Sequence, residues 1–375
     1  MIYVVQPGDT LSAISQRFGV GQQQILWLNQ IPNRDALVVG QAILLLNSIK
    51  TGALTRQVGG YAYPFISPWV LTQTLPFLNL FSSFSYGFLP DGTLLPPVLN
   101  DTWMLRRADT AGVTTALVLT PLGPDGQFSN VLISALLRNV PAQERLLEQM
   151  TAMIAEKGFG EVNIDFEYIL GEDRDAFTDF VRRTVETVPV PVSVCLAPKN
   201  DPAQRGVLFD GKDYPALGAL ADRVLFMAYE WGYKYGAPLA IAPLDQVRRV
   251  IEYAVSVIDP AKFDLGLANY GYDWPLPFVR GETVARTIGS VEAVETARRV
   301  GAEIQFDETA QSPYFTYTEN GISHIVWFED VRSWQSKIDL VEEFGLSGVG
   351  IWTVMPLFRA GLNLLGDNWR DPSQN

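Results

Sequence analysis

Two residue types are almost missing from this 375-residue chain, which has one cysteine, Cys195, and one histidine, His324. A single thiol excludes a disulfide framework and a cysteine-based zinc site. It lies in the apolar run 190–197, where a small buried hydrophobe is expected. One imidazole excludes a histidine-rich metal site. A Ser-His-Asp triad would have to use His324, whose setting, Gly321-Ile322-Ser323-His324-Ile325-Val326-Trp327, reads as a strand with a structural histidine. Basic residues are also scarce, 28 against 41 acidic for a net charge of −13, which argues against nucleic acid or an anionic membrane surface as partner. No apolar run approaches the roughly 18 residues of a membrane-spanning helix. Met1-Ile2-Tyr3-Val4-Val5-Gln6-Pro7-Gly8-Asp9 has neither the basic start nor the continuous apolar core of a secretory signal. A soluble protein, made in or released from a cytoplasm, is the expectation.

What is present points to a large core, since hydrophobic residues make up 47% and aromatics 11% of the chain. The length is ample for a full barrel and an accessory module. The most informative stretch is Val162-Asn163-Ile164-Asp165-Phe166-Glu167-Tyr168, which alternates as a half-buried strand does. Val162, Ile164, Phe166 and Tyr168 then share one face, and Asn163, Asp165 and Glu167 line the other. An edge strand with its polar face in water would look the same. Two carboxyls and an amide in file are nevertheless costly to bury without a task, and the chain around them favours a functional site.

Residues 1–47 read as strand, helix, helix, strand. A turn at Pro7-Gly8-Asp9 precedes Thr10, a helix N-cap, and Leu11, Ile14 and Phe18 follow at helical spacing. A second helix falls within 21–29 and a closing strand at 42–46. The run Tyr3-Val4-Val5-Gln6-Pro7-Gly8-Asp9-Thr10-Leu11-Ser12-Ala13-Ile14, with Asn29 and Val39-Gly40-Gln41, resembles a LysM domain. That resemblance implies binding to N-acetylglucosamine-containing glycans, peptidoglycan or chitin, in a groove between Gly8-Asp9-Thr10 and the loop of Asn29, Ile31 and Pro32. Arg17 and Arg34 balance Asp9 and Asp35, so the module has no net charge and would bind sugar through hydrogen bonds and apolar contact. Residues 48–57 are polar and read as a linker.

From residue 58 to 375, strand-like runs at 60–64, 78–88, 114–120, 161–168, 190–197, 223–229, 263–269 and 348–353 alternate with amphipathic helices. Alternation implies a parallel sheet, and eight strands suggest an α/β fold of the (β/α)8 TIM barrel type. A doubly wound open sheet is the alternative, but no Gly-rich dinucleotide loop follows the first strand. The interval 280–327 is too long for one barrel helix and reads as a small α+β insertion between strands seven and eight. Active sites of such barrels sit at the carboxyl ends of the strands. Tyr86, Glu167, Tyr229, Glu230, Trp231, Asn269, Tyr270 and Trp352 all fall there. Each aromatic alone is more often packing than ligand contact. Together, aromatic faces and carboxyls at one mouth suit a carbohydrate.

Asn163-Ile164-Asp165-Phe166-Glu167, Met227-Ala228-Tyr229, Asn269-Tyr270-Gly271 and Trp352 resemble glycoside hydrolase family 18, over nearly all of residues 58–375. Phe84-Ser85-Tyr86-Gly87-Phe88, Tyr229-Glu230-Trp231-Gly232 and Trp327-Phe328-Glu329-Asp330 resemble its LysM-bearing spore cortex-fragment-lytic branch. The family motif is Asp-x-x-Asp-x-Asp-x-Glu; Asp165 and Glu167 match, whereas Gly160 and Asn163 occupy the two earlier acidic positions. An amide at 163 cannot share a proton with Asp165. The resemblance implies hydrolysis of β-1,4-linked N-acetylglucosamine glycan by a retaining mechanism, with Glu167 as general acid and Asp165 and Tyr229 attending the substrate's own acetamido nucleophile. It implies Trp352 beneath the reacting sugar, Asn163, Tyr86, Glu230, Trp231, Asn269 and Tyr270 as substrate-binding residues, and no metal or organic cofactor. The expected setting is a monomer in the spore coat or cortex, loaded from the mother cell; a cytoplasmic or released wall-associated protein is the alternative. Two other readings share the barrel: a chitinase on chitin oligomers, and a non-catalytic glycan-binding protein, a type that typically lacks the acid.

Overall fold

Near-continuous apolar stretches such as Val192–Leu196 and Phe263–Ala268 can be buried on both faces, as parallel strands require. In the computed structural model, which describes residues 1–123, 126 and 128–371, these stretches belong to a closed barrel. Numbered along the chain, β1 (Ile2–Val4) and β2 (Ala42–Leu44) form the amino-terminal module's antiparallel pair. The barrel begins with β3 (Gln57–Ala62) and β4 (Leu80–Phe88), the latter carrying the short antiparallel β5 (Leu94–Leu95). It continues through β6 (Thr114–Leu119), β7 (Glu161–Ile164), β8 (Val192–Leu196), β9 (Arg223–Phe226) and β10 (Phe263–Ala268). After an insertion of β11 (Gly271–Leu276), β12 (Arg286–Ile288), β13 (Gln305–Asp307), β14 (Ser312–Glu319) and β15 (Ile322–Trp327), β16 (Gly348–Trp352) completes it. Strand β3 pairs in parallel with both β4 and β16, so the sheet has no free edge and the open-sheet alternative falls. Helices such as Val140–Lys157, Arg174–Thr187, Leu244–Val255 and Val331–Phe344 cover the outside.

Several strand boundaries differ from the sequence reading, and two of these differences bear on the site. β7 ends at Ile164, not 168, because the chain turns and Tyr168 takes a φ of 58°. The insertion begins at Gly271, not 280: β11 leaves β10 almost directly and pairs with β15 in a five-stranded antiparallel sheet. The expected carboxyl terminus at 375 lies outside the described residues.

The module has a core of its own, including Val5, Leu11, Ile14, Ile25, Ile31 and Ile43. It is also docked. Leu28, Leu44 and Leu46 join the barrel's core and Val38 joins that of the insertion. Gln30 Nε2 donates to Leu357 O at 3.1 Å, and its Oε1 accepts from Arg359 N at 2.7 Å. Arg359 Nη1 donates to Trp27 O at 2.8 Å, and its guanidinium lies 4.5 Å over the Trp27 ring. At Gly40, φ is 82° and a Cβ would lie 1.7 Å from Ile304 O, so only glycine permits this approach. The linker is pinned as well, with Thr55 N donating to Trp369 O at 2.7 Å.

Candidate active site

At the carboxyl ends of the strands the barrel opens into a cavity of about 510 Å³. Asp165 and Glu167, just past β7, share its wall with Tyr229 and Glu230, just past β9, and with Trp352 at the end of β16. Phe84 meets Trp352 edge-on at 4.8 Å, and Tyr61 and Tyr63 approach the same indole at 5.8 and 6.1 Å. The indole is thereby fixed by three rings from the ends of β3 and β4.

Asp165 is buried, and its Oδ1 has no hydrogen-bond partner among the described residues. Burial pushes its carboxyl up to about 6, against the lowering influence of Lys212 and of a hydrogen bond from Cys195. Burial, and then the neighbouring Asp165 charge, push Glu167 up to about 7, with Lys212 again opposing and Glu230 adding to the rise. A carboxyl with that poise holds a proton near neutrality and can deliver it. Tyr270 and Tyr272 both donate to Glu230 Oε1, at 2.5 and 2.8 Å. These bonds oppose the burial that raises the Glu230 carboxyl.

Four residues expected to touch substrate sit elsewhere. Tyr86 is fully buried on the far side of β4, where its hydroxyl donates to Asp101 Oδ2 at 2.7 Å and accepts from Lys157 Nζ at 2.9 Å. Regular alternation would put it beside Phe84, but β4 slips register against β6 between Ser83 and Tyr86, and the irregularity turns Tyr86 outward. Asn163 lies beneath the cavity, accepting from Tyr61 at 3.2 Å and donating to Ser193 Oγ at 2.9 Å. Trp231 packs against the barrel core and does not line the cavity. Asn269 donates to Thr353 O and Pro356 O, both at 2.9 Å, bracing the loop behind Trp352. Together with Tyr270 it lines an adjoining cavity of about 410 Å³, into which Glu230 and Trp352 also extend.

Sequence reasoning missed Tyr61, Tyr63, Tyr168, Met227 and Tyr233 on the cavity wall, and Lys212, which is buried and donates to Cys195 O. Tyr61 and Tyr63, two apart at the end of the first barrel strand, carried the same alternation signal as Asp165 and Glu167. Tyr168, placed outward by alternation, reaches the cavity rim because its positive φ reverses the chain.

In the module, Thr10 Oγ1 caps the first helix by accepting from Ala13 N at 3.2 Å. Asp9 Oδ2 accepts from Tyr3 OH at 2.6 Å and Gln6 N at 2.7 Å, bracing the turn at Gly8. Asn29 clamps helix to strand through Ile25 O, Leu44 O and Leu44 N, so its amide is engaged internally. Asn29, Ile31 and Pro32 line a cleft of about 340 Å³ whose opposite wall is the insertion helix Ser290–Val300. Gly8, Asp9 and Thr10 do not border that cleft. His324, in β15, accepts or donates at Nδ1 with Asp273 Oδ1 at 2.9 Å, within the insertion.

A closed parallel barrel with an acid-bearing, aromatic-lined mouth at the carboxyl ends of its strands places the chain among the (β/α)8-barrel proteins. Residues 118–355 match Glycosyl hydrolases family 18, and residues 3–45 match the LysM domain. The chain belongs to glycosyl hydrolase family 18, and both resemblances read from the sequence hold. The cortical fragment-lytic enzyme of Bacillus subtilis is 32% identical, with 98% of each chain covered. That of Bacillus cereus is 37% identical over 78% of this chain and 69% of its own. The crystal structure of the Bacillus megaterium spore cortex-lytic enzyme SleL has a TM-score of 0.90 at 29% identity, covering 98% of this chain and 97% of that one. A chitinase from Chromobacterium violaceum, 22% identical with a TM-score of 0.77, covers 84% of this chain and 100% of its own and shares the fold. No described helix is long and apolar enough to cross a membrane.

Proposed function

We propose that this glycosidase cleaves β-1,4 linkages of N-acetylglucosamine in spore cortex peptidoglycan during germination, by a retaining mechanism in which the substrate's acetamido group is the nucleophile. Glu167 protonates the glycosidic oxygen and then activates water. Asp165 stabilises the acetamido group as it closes on the anomeric carbon and gains charge, the Tyr229 hydroxyl supports that group's oxygen, and Trp352 lies under the ring. The observation that carries this reading is Asp165 Oδ1, a buried carboxylate oxygen without a hydrogen-bond partner among the described residues, two residues before the proton-holding Glu167. The likeness to cortical fragment-lytic enzymes over the whole chain favours cortex over chitin and favours a spore setting. The LysM module would hold the same class of glycan through the loops of Gly8–Thr10 and of Ile31 and Pro32.

Incubation of the purified protein with cortex fragments and, separately, with chitin oligomers tests this. A new reducing-end N-acetylglucosamine from cortex fragments is expected. Products from chitin alone would reassign the enzyme as a chitinase, and a covalent sugar adduct trapped on Glu230 would replace the acetamido nucleophile with a carboxylate.

A further inference from the structure

The cavity holds a buried carboxyl, Asp165, and a half-buried one, Glu167, and the family's preceding acidic positions are filled by Gly160 and Asn163. Beneath them lies a buried cation that the mechanism above does not use. Lys212 is 4% exposed. Its Nζ makes one hydrogen bond, to Cys195 O at 3.0 Å, and no ion pair among the described residues. A buried ammonium without a counter-charge is strongly disfavoured, so the charges that keep it must be those facing it. Burial weakens the ammonium's hold on its proton, and the charges that oppose this are those of Glu167, when it is ionised, and of Asp165.

The chain is shaped to put it there. Lys212 sits in the segment between β8 and the helix Tyr214–Leu220, where Gly211 passes directly against Ile169, just beyond Glu167 and Tyr168. A Cβ at 211 would lie 2.3 Å from Ile169 O, so a larger residue would push Lys212 out of the barrel. The other ionisable groups around it are otherwise engaged. Burial keeps the Cys195 thiol and the Tyr61 and Tyr229 phenols protonated. Glu230 is held by two tyrosines. Asp213 pairs with Arg174 at 2.6 Å, Asp210 with Arg205 at 3.6 Å, and deeper in the barrel Glu161 and Asp264 flank Arg223.

We propose that Lys212 is a positioning residue for catalysis: its charge holds Asp165 as an anion while Glu167 keeps the proton, a task a second carboxyl sharing that proton would otherwise perform. With Asp165 charged, Glu167 neutral and Lys212 charged, the interior is electrically balanced without an acid at position 163. This rests on the proposed roles of Asp165 and Glu167.

The test is Lys212→Gln, which retains a donor for Cys195 O and removes the charge, beside Lys212→Arg, which retains the charge. The pH profile of kcat/KM on soluble cortex fragments is expected to move both limbs of Lys212→Gln upward by about one pH unit or more, with Lys212→Arg holding them in place. A folded Lys212→Gln with reduced kcat and unmoved limbs would overturn the proposal. Carboxyl carbon NMR of the unaltered protein decides independently of any variant's folding: Asp165 is expected to ionise before Glu167, and the reverse order overturns it. If no substrate is hydrolysed at any pH the functional reading fails, and the carboxyl titration still decides the role of Lys212.

Discussion

Glu167 and Asp165 lie two positions apart, and the same burial lifts both carboxyls, to about 7 and about 6. They titrate as a pair, so kcat/KM should follow a bell whose acid limb reports the pair's first proton and whose alkaline limb reports its second. Activity is expected to peak between about pH 6 and 7, and a profile flat from pH 5 to 8 would refute the assignment. Glu167→Gln should lower kcat by about 10²–10⁴-fold while sparing glycan adsorption; turnover within tenfold of the unaltered enzyme excludes Glu167 as the acid. The same shifts affect stability. Each carboxyl has a folded-state value above its unfolded one, so the native state binds more protons between about pH 4 and 7, and stability falls as pH rises through that window. Removing the charge at Asp165 should therefore help the fold at high pH. Urea unfolding is expected to show Asp165→Asn more stable than the unaltered protein at pH 8, on the order of 1–3 kcal/mol, with the gain vanishing at pH 4.

Among the elements, the strand carrying both acids was legible because alternation is a local property that any polar-faced strand displays. Trp352, Tyr229 and Glu230 were legible as strand-end residues once eight strands had been counted. What was not legible came from places where the backbone breaks its own period. The register slip in β4 carries Tyr86 to the far side, and the positive φ at Tyr168 brings that ring to the cavity. Lys212 was hidden for another reason: a lysine in a loop normally points to water, and its burial depends on contacts remote in sequence. Tyr86→Phe is expected to cost about 1–2 kcal/mol in chemical unfolding, through lost bonds to Asp101 and Lys157. Its kcat/KM should stay within twofold of normal, and a large loss of kcat/KM in a stable Tyr86→Phe protein would restore this residue to the substrate site.

Over the whole molecule, the sequence suggested two bodies on a polar tether, and the structure joins them through Leu28, Leu44 and Leu46, Gln30, Arg359 and Gly40. A shared core predicts shared unfolding. Calorimetry of the intact chain should show one transition, and two well-separated ones would mean the docking is marginal. Deleting residues 1–47 is expected to weaken adsorption to insoluble peptidoglycan and to lower the melting temperature, since apolar surface of the barrel is uncovered. Cleavage of short soluble fragments should persist; its loss from a well-folded truncation would mean the module helps to form the catalytic site.

The docked module also fixes a distance. On a flexible tether an anchor serves as a leash, and the catalytic mouth can sweep any bond within its radius. Here the anchor is packed against the body that carries the acid, so a strand gripped by the module would meet Glu167 at a set offset. The molecule is then a gauge as well as a cutter, and fragments released from an anchored strand should fall into a narrow set of lengths.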